Sequence, residues 1–433
     1  MCFLRCLTIV TLTAALSGCA TYGDWVGDME RQIAARDLAG ALRTLDERAG
    51  GRARDAVLYE LNRALLLRMA GEYMESNVAF ERAKEAIERV DALSVSEQAG
   101  ALAVNDLQRS YAAESHERVL LHVYSALNYL ELGRPEAARV EILQLDVRLG
   151  LEVGGGGGEA FGRYLSGMVF EALGQHDDAM IAYRKAYAAY RRDPAVGVPP
   201  SLGRDLVRTA TRVGGLQDEW RRYRAEFGLA EEETPGPRAE EGEVIFLLHS
   251  GLAPLKRDDL VAAATPEGRL VSVSLPYYAP RAPVAYGARL TAGGAAATAG
   301  LVEDVAAVAV TALQREQPLI LARALARAAL KHEASEQADR ESEALGAMVN
   351  IAGVVSERAD TRSWSTLPSR IYLARLPLPP GRHAVRVELA GVAVTRDYEV
   401  ELAPGEKRFI SLHWVSAADL DPLPYRIERR QLQ

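Results

Sequence analysis

Through the first half of the chain, apolar residues recur at helical spacing, and one skeleton returns three times. ALLLRMAGEYMESNVAFERA carries Ala64, Leu67, Gly71, Phe80 and Ala83. ALNYLELGRPEAARVEILQL carries Ala126, Tyr129, Gly133, Ala138 and Ile142, and GMVFEALGQHDDAMIAYRKA carries Gly167, Phe170, Gly174, Ala179, Tyr183 and Ala186. Counted from each first residue, an apolar side chain follows at +3, glycine at +7 and a bulky apolar residue at +16. Alanine stands at +12 in the last two, where the first has Ser76. A weaker fourth copy has Val207, Gly214 and Tyr223, with Glu219 in the alanine place. This spacing predicts pairs of antiparallel helices joined by short turns. The glycine ends the first helix, where a residue without Cβ relieves the turn. The small residues sit where two helices approach most closely, and the bulky one fills the gap toward the next pair.

These skeletons resemble tetratricopeptide (TPR) repeats over roughly residues 25–228. Gly71 to Gly133 is 62 residues, Gly133 to Gly174 is 41 and Gly174 to Gly214 is 40, against about 34 for tandem copies. The array therefore carries insertions, between 86 and 115, at the glycine run 154–158 and at 193–201. The resemblance implies an α-solenoid whose first helices line a concave protein-binding surface. By repeat register, Arg68, Glu131, Tyr164 and Glu171 face that surface. Arg204, Arg208 and Arg212 fall at i, i+4 and i+8. That stripe either grips an acidic segment or C-terminal carboxylate of a partner, or is a solvated helix face. Gly155, Gly157 and Ala160 match a dinucleotide-binding spacing, but the preceding LQLDVRL looks helical. Without a strand before it, the run reads as a flexible loop.

Beyond the repeats the pattern changes. Residues 229–243 are acidic, with prolines and glycines, and read as a linker. VIFLLH (244–249) is a continuous apolar run, hence a buried strand, and RLVSVSL (269–275) alternates as a second strand ending at Pro276. Residues 287–300 are rich in Gly and Ala and read as a loop. Residues 301–330 are rich in Ala, Val and Leu and predict a helix, with a division near Pro318. A charged stretch (333–343) and a further apolar helix (344–357) follow. Their apolar faces either take a lipid or a partner helix, or pack on the strands. Residues 370–375, 383–389, 397–402 and 409–414 predict strands, with turns at Pro379-Pro380-Gly381 and Pro404-Gly405. The strings LPPGRHAVRVEL and VELAPGEKRFISL are similar to small PEGA-like β-sandwich modules, which implies a packing or adhesive role. The expected fold is multidomain and mainly α. A TPR-like α-solenoid (19–228) and the linker (229–243) lead to an α/β region with Ala-rich helices (244–368). A small antiparallel β-sandwich-like module (369–418) and a polar tail (419–433) complete it.

The N-terminus reads as an address. Arg5 is followed by ten apolar or small residues from Cys6 to Ala15, too few to span a bilayer but suited to a signal peptide. Leu16-Ser17-Gly18-Cys19 resembles the lipobox of bacterial lipoproteins, which implies removal of 1–18 and acylation of the Cys19 thiol. Ala20 after it, rather than Asp, resembles the signal for release to the outer membrane. Cys2 and Cys6 leave with the signal, so an acylated mature chain has no thiol for a disulfide, thiolate catalysis or metal binding. Losing Arg5 moves the formal charge from −8 to −9. With no basic block, nucleic acid is not an expected partner.

YAAESHERVLLHVYSALNYLELG (111–133), LLHSGLAPLK (247–256) and ADTRSWSTLPSRIYLARLPLPPG (359–381) together resemble a family of TPR-containing outer-membrane lipoproteins of Gram-negative envelopes. That resemblance implies an envelope location but no reaction. Arg362, Trp364, Leu367 and Pro368 are then either a docking corner between the helical and β parts or a structural corner. The mature chain lacks nucleotide-binding, metalloprotease and serine-nucleophile motifs. His116, His122, His176, His249, His332, His383 and His413 are dispersed. His176-Asp177-Asp178 sits in a repeat turn, and His249-Ser250 follows a strand, where α/β enzymes place catalytic groups. The expected function is a membrane-anchored periplasmic scaffold without catalytic activity or cofactor. It would bind envelope proteins through the TPR groove in assembly, secretion or peptidoglycan machinery. The alternative is an envelope enzyme acting on cell-wall or surface polysaccharide through its C-terminal region.

Overall fold

The glycine at +7 of each skeleton is where the chain reverses. The computed structural model describes residues 22–101, 109–151, 158–230, 240–264, 270–281, 285–341 and 358–420. In it, α1 (Tyr22–Ala34) pairs with α2 (Leu38–Ala49), α3 (Ala56–Met69) with α4 (Tyr73–Ala101), and α5 (Ser115–Glu131) with α6 (Pro135–Leu151). Likewise α7 (Glu159–Ala172) pairs with α8 (His176–Tyr190), and α9 (Pro200–Val213) with α10 (Gln217–Phe227). Gly71, Gly133, Gly174 and Gly214 have φ of +84°, +67°, +71° and +75°, the left-handed region in which a Cβ is penalised. In the third skeleton the first residue is glycine because the +16 ring lies on it. A Cβ on Gly167 would sit 2.2 Å from a ring carbon of Tyr183. The first hairpin escapes the sequence pattern because Arg36, at φ +64°, holds its turn position. Met29, Ala41 and Leu45 nevertheless occupy its first, +12 and +16 places and are fully buried.

The C-terminal part contains β1 (Gly242–Ser250), β2 (Leu255–Ala264), β3 (Leu270–Ala279), β4 (Ala288–Ala292), β5 (Ala295–Thr298) and β6 (Gly300–Asp304). The long helix α11 (Val305–Glu341) follows, then β7 (Arg370–Leu378), β8 (Gly381–Leu389), β9 (Thr395–Leu402) and β10 (Lys407–Trp414). The main sheet has the order β10-β1-β7-β6, with β1 parallel to β10 and antiparallel to β7. A second, antiparallel sheet has the order β5-β4-β8-β9, and β2 and β3 form a separate ribbon. Helix α11 packs Ala309 and Leu313 against Tyr278 of that ribbon.

The apolar run in β1 reflects burial on both faces. Val244, Phe246 and Leu248 pack toward Leu290, Val385 and Val387 of the second sheet. Ile245 and Leu247, with Leu373 and Phe409, pack among Leu65, Tyr124 and Tyr164 of the helices. The layers are therefore helical array, main sheet, second sheet, with the main sheet in the middle.

The sequence reading divides the C-terminal part differently. Strands from 369–418 do not form their own module: β7 and β10 flank β1, while β8 and β9 join β4. A boundary at 368 would cut through both sheets. Hairpin signals report neighbours in sequence, whereas the β1–β10 pair joins the first and last strands. Residues 287–300 are not a loop but carry the β4–β5 hairpin, turning at Gly293-Gly294 with φ of +55° and +85°. Leu301 to Asp304 are strand, and α11 runs through Pro318 without ending. β3 continues past Pro276, which lies opposite Asp258 in the ribbon, and β2 had no sequence signal. Strand β1 already starts at Gly242, inside the expected linker. Residues 231–239 of that linker, Cys19 with the rest of 1–21, the helix expected over 344–357, and 421–433 lie outside the described residues.

Candidate functional site

Strand alternation places Glu243, Ile245, Leu247 and His249 of β1 on the helix-facing side of the main sheet. Their parallel neighbours on β10 are Lys407, Phe409, Ser411 and His413. Arg375, Leu373 and Ile371 stand opposite Ile245, Leu247 and His249 on β7. This side is apolar in the middle, ionic at one end and imidazole-bearing at the other. It covers α3, α5, α7 and α9, the first helices whose inner face is the expected partner surface.

At the ionic end, Arg375 reaches three carboxylates. Its Nη1 donates to Asp205 Oδ2 at 2.7 Å, its Nη2 to Glu171 Oε2 at 3.1 Å, and its Nε to Glu243 Oε1 at 2.9 Å. Arg208 holds Glu171 by two bonds, of 2.9 and 2.8 Å. Lys407 Nζ lies 3.0 Å from Glu243 and 3.3 Å from Glu171. Tyr183 and Tyr164 donate hydroxyls to Glu171 and Asp205 at 2.7 and 2.6 Å. Three cations thus face three carboxylates, and the buried set is neutral. Burial alone would raise the Glu243 carboxyl, but Arg375 and Lys407 outweigh it and hold it down to about 2. Burial likewise opposes ionisation of Glu171, yet Arg208, Arg375 and Lys407 keep it well below the usual carboxylate range.

At the other end, the rings of His249 and His413 stack 4.3 Å apart with 10° between their planes. Tyr124 OH lies 3.2 Å from His249 Nδ1. Neither Nε2 has a hydrogen-bond partner among the described residues. Beside them, Arg68 donates to Asn128 Oδ1 at 2.5 Å and to Ser411 Oγ at 2.7 Å, with Glu131 3.6 Å away. Burial first, then His413 and Arg68, drive the His249 imidazole well below its ordinary range; burial and then Arg68 do the same to His413. Both rings are therefore neutral in the fold. The unfolded chain takes up their protons below about pH 6.5, so this contribution to stability is present above that pH and is lost as pH falls. The slope reaches about 1.4 kcal/mol per pH unit for each ring. A His249→Phe, His413→Phe chain is expected to lose less stability than the parent between pH 7 and 5, measured by urea unfolding. Identical slopes would remove the pair from the acid response.

Glu303 shows the reverse sign. It lies on β6, where the pairing with β7 is interrupted, and its carboxyl is buried, with Oε2 lacking a hydrogen-bond partner among the described residues. Burial first, then Asp193 and Asp304, push its carboxyl up to about 8. A raised carboxyl contributes fully below its unfolded value and loses that contribution as pH rises toward 8. From pH 4.5 to pH 7 the loss is roughly 3 kcal/mol. Glu303→Gln keeps the size of the buried side chain without its charge and is expected to stabilise the chain at pH 7–8 but not at pH 4.5. A stability deficit at both pH values would contradict this.

The expected site residues separate into groups. Arg68, Tyr164, Glu171 and Arg208 are buried, and the Glu131 side chain is 8% exposed. All five point inward, and their partners include the chain's own strands or one another. The arginine stripe is split: Arg204 and Arg212 are exposed while Arg208 lies inside, since each four-residue step turns the face by about 40°. Arg362, Trp364, Leu367 and Pro368 are all buried. Arg362 donates to Asp55 Oδ1 at 2.7 Å, Asp360 Oδ1 at 2.9 Å and the Arg109 carbonyl at 2.9 Å. Trp364 packs edge-on against Phe80 and Tyr124 with centroids 6.0 and 6.1 Å apart. Its backbone N–H donates to Glu117 Oε1 at 2.7 Å. This corner joins the β part to the helices from within. Sequence reasoning missed Asp205, Glu243, Arg375 and Lys407. The available signal was charge at the inward phase of otherwise apolar strands.

Among the described residues, no group of three or more His, Cys, Asp or Glu is placed to hold a metal ion, and no helix is long and apolar enough to cross a membrane. No protein-family model matches the chain, and no curated protein matches it in sequence. Among solved structures, it is similar to the crystal structure of MamA, at 13% identity and a TM-score of 0.32 over 50% of this chain and 97% of that one. It is also similar to a tetratricopeptide repeat protein from Parabacteroides merdae ATCC 43184, at 13% identity and a TM-score of 0.32 over 48% of this chain and 67% of that one. Likenesses at this level carry no functional argument.

Proposed function

We propose that this chain is a lipid-anchored scaffold of a Gram-negative envelope, tethered through Cys19 at the periplasmic face of the outer membrane, that binds proteins without catalysing a reaction. The observation that carries the reading is the closed inner face of the helical array. The polar side chains converging there neutralise one another and are covered by the main sheet, so they hold no open cleft around which chemistry could be organised. His249, the residue on which a hydrolase would depend, is stacked and sealed in the same layer. Partners then meet the outer surface of the array, not its groove. The apolar stretch from Cys6 to Ala15 and the lipobox-like Leu16-Ser17-Gly18-Cys19 support the anchor. The test is palmitate labelling of the full chain and of Cys19→Ala, followed by membrane fractionation and protein crosslinking in intact envelopes. Label in the parent alone, in the outer-membrane fraction, with crosslinks to protein, is expected. Label in neither chain or in both, or a purified chain that cleaves peptidoglycan or polysaccharide, would overturn the reading.

A further inference from the structure

With the inner face sealed, the apolar surface left on the array lies outside. Among the described residues, ten large apolar side chains stand well exposed, and seven of these are on the outer helices α4, α6 and α8. Four form one ridge on α6: Val140, Leu143, Val147 and Leu151 are 52, 50, 67 and 71% exposed. Their steps of three, four and four residues keep them on one side of the helix. A groove runs along each side of the ridge. One, of about 170 Å³, is lined by Leu143 and Ile181; the other, of about 500 Å³, is lined by Val147 and Ile87. Monomeric proteins rarely leave a contiguous apolar surface of this kind open to water.

The charges beside the ridge indicate its occupant. Arg139 and Asp146 are both exposed and stand one heptad apart on the same flank of Leu143. An antiparallel copy of α6, related by a two-fold axis near Leu143, brings Arg139 of one copy to Asp146 of the other, twice. A closed two-fold dimer requires a patch that complements itself in this way. Asp146 already accepts from Arg163 at 2.9 Å and from Lys185 at 3.0 Å. A carboxylate has about four lone-pair sites, so a third donor can be taken. We infer that the outer ridge of α6 is a self-association surface, docking a second copy of this chain antiparallel through Leu143 and Val147 with reciprocal Arg139–Asp146 pairs. The inference deepens the scaffold reading by naming one partner, and it rests on that reading's sealed groove but not on its lipid anchor.

The test uses the chain from Ala20 onward, which omits Cys19 and contains no cysteine, so a failed anchor and a failed dimer give separate results. Sedimentation at tens of micromolar is expected to show a dimer. Val147→Lys is expected to weaken it about 30-fold or more. Arg139→Asp and Asp146→Arg each weaken it, and the double exchange restores it. Leu143→Cys is expected to oxidise to a covalent dimer, whereas a cysteine at exposed Arg204 does not. A folded monomer at these concentrations overturns the inference, as does a dimer indifferent to Val147→Lys and to the charge exchange. Leu143→Cys that crosslinks in envelopes only to a different protein also overturns it, in favour of a heterologous helix on the same ridge.

Discussion

Arg375→Ala is expected to cost about 3–5 kcal/mol of stability, the range for removing one partner of a buried ion pair. The arginine faces Asp205, Glu171 and Glu243 from a side chain that is 7% exposed. Without it, three carboxylates remain against Arg208 and Lys407, and the buried set carries a net negative charge. Arg375→Lys recovers only part of the loss, because one ammonium cannot span three carboxylates as a planar fork does. Glu243→Gln in the alanine background removes the excess charge and is expected to recover stability. The urea midpoint reads all three variants at pH 7. An Arg375→Ala chain within 1 kcal/mol of the parent would mean that water reaches the cluster and the interface is looser than its geometry.

Trp364→Ala carries the second large effect, again about 3–5 kcal/mol, as for emptying a core aromatic site. The indole fills the space between Phe80 of α4 and Tyr124 of α5, and its Nε1–H donates to Thr366 Oγ1 at 2.9 Å. Trp364→Phe keeps a ring in the site but leaves the threonine hydroxyl without that donor, so an intermediate loss is expected. If Trp364 were instead a docking residue for another protein, alanine would leave the urea midpoint unchanged and diminish only partner capture.

What could be read in the chain follows from how local each determinant is. The hairpins were legible because Gly71, Gly133 and Gly174 fix turns seven residues after a small residue and nine before a bulky one. Arg36 hid the first hairpin, since a non-glycine residue in a left-handed turn leaves no sequence mark. The strand at 244–249 was legible because burial on two faces makes it apolar throughout. Its partner across the sheet was not, because β10 returns from more than 150 residues away and no local pattern records that pairing. The inward register of Arg68, Glu131, Tyr164 and Glu171 was readable from the repeats, while the identity of what they face was not. A groove lined by charged and aromatic residues has the same composition whether it waits for a partner or holds the chain's own sheet. The charges on β1, β7 and β10 decide between the two, and their meaning appears only when Glu243, Arg375 and Lys407 are placed side by side.

The central claim is that the array's inner face is closed in cis by the main sheet. A protease site introduced at Thr234, between α10 and β1, lets the finished chain be cut into its helical and β fragments. The fragments are expected to stay together through gel filtration, because the interface is largely apolar and its ion pairs are buried from salt. Separation of the two, with a folded and soluble helical fragment whose groove then stands open, would contradict the claim.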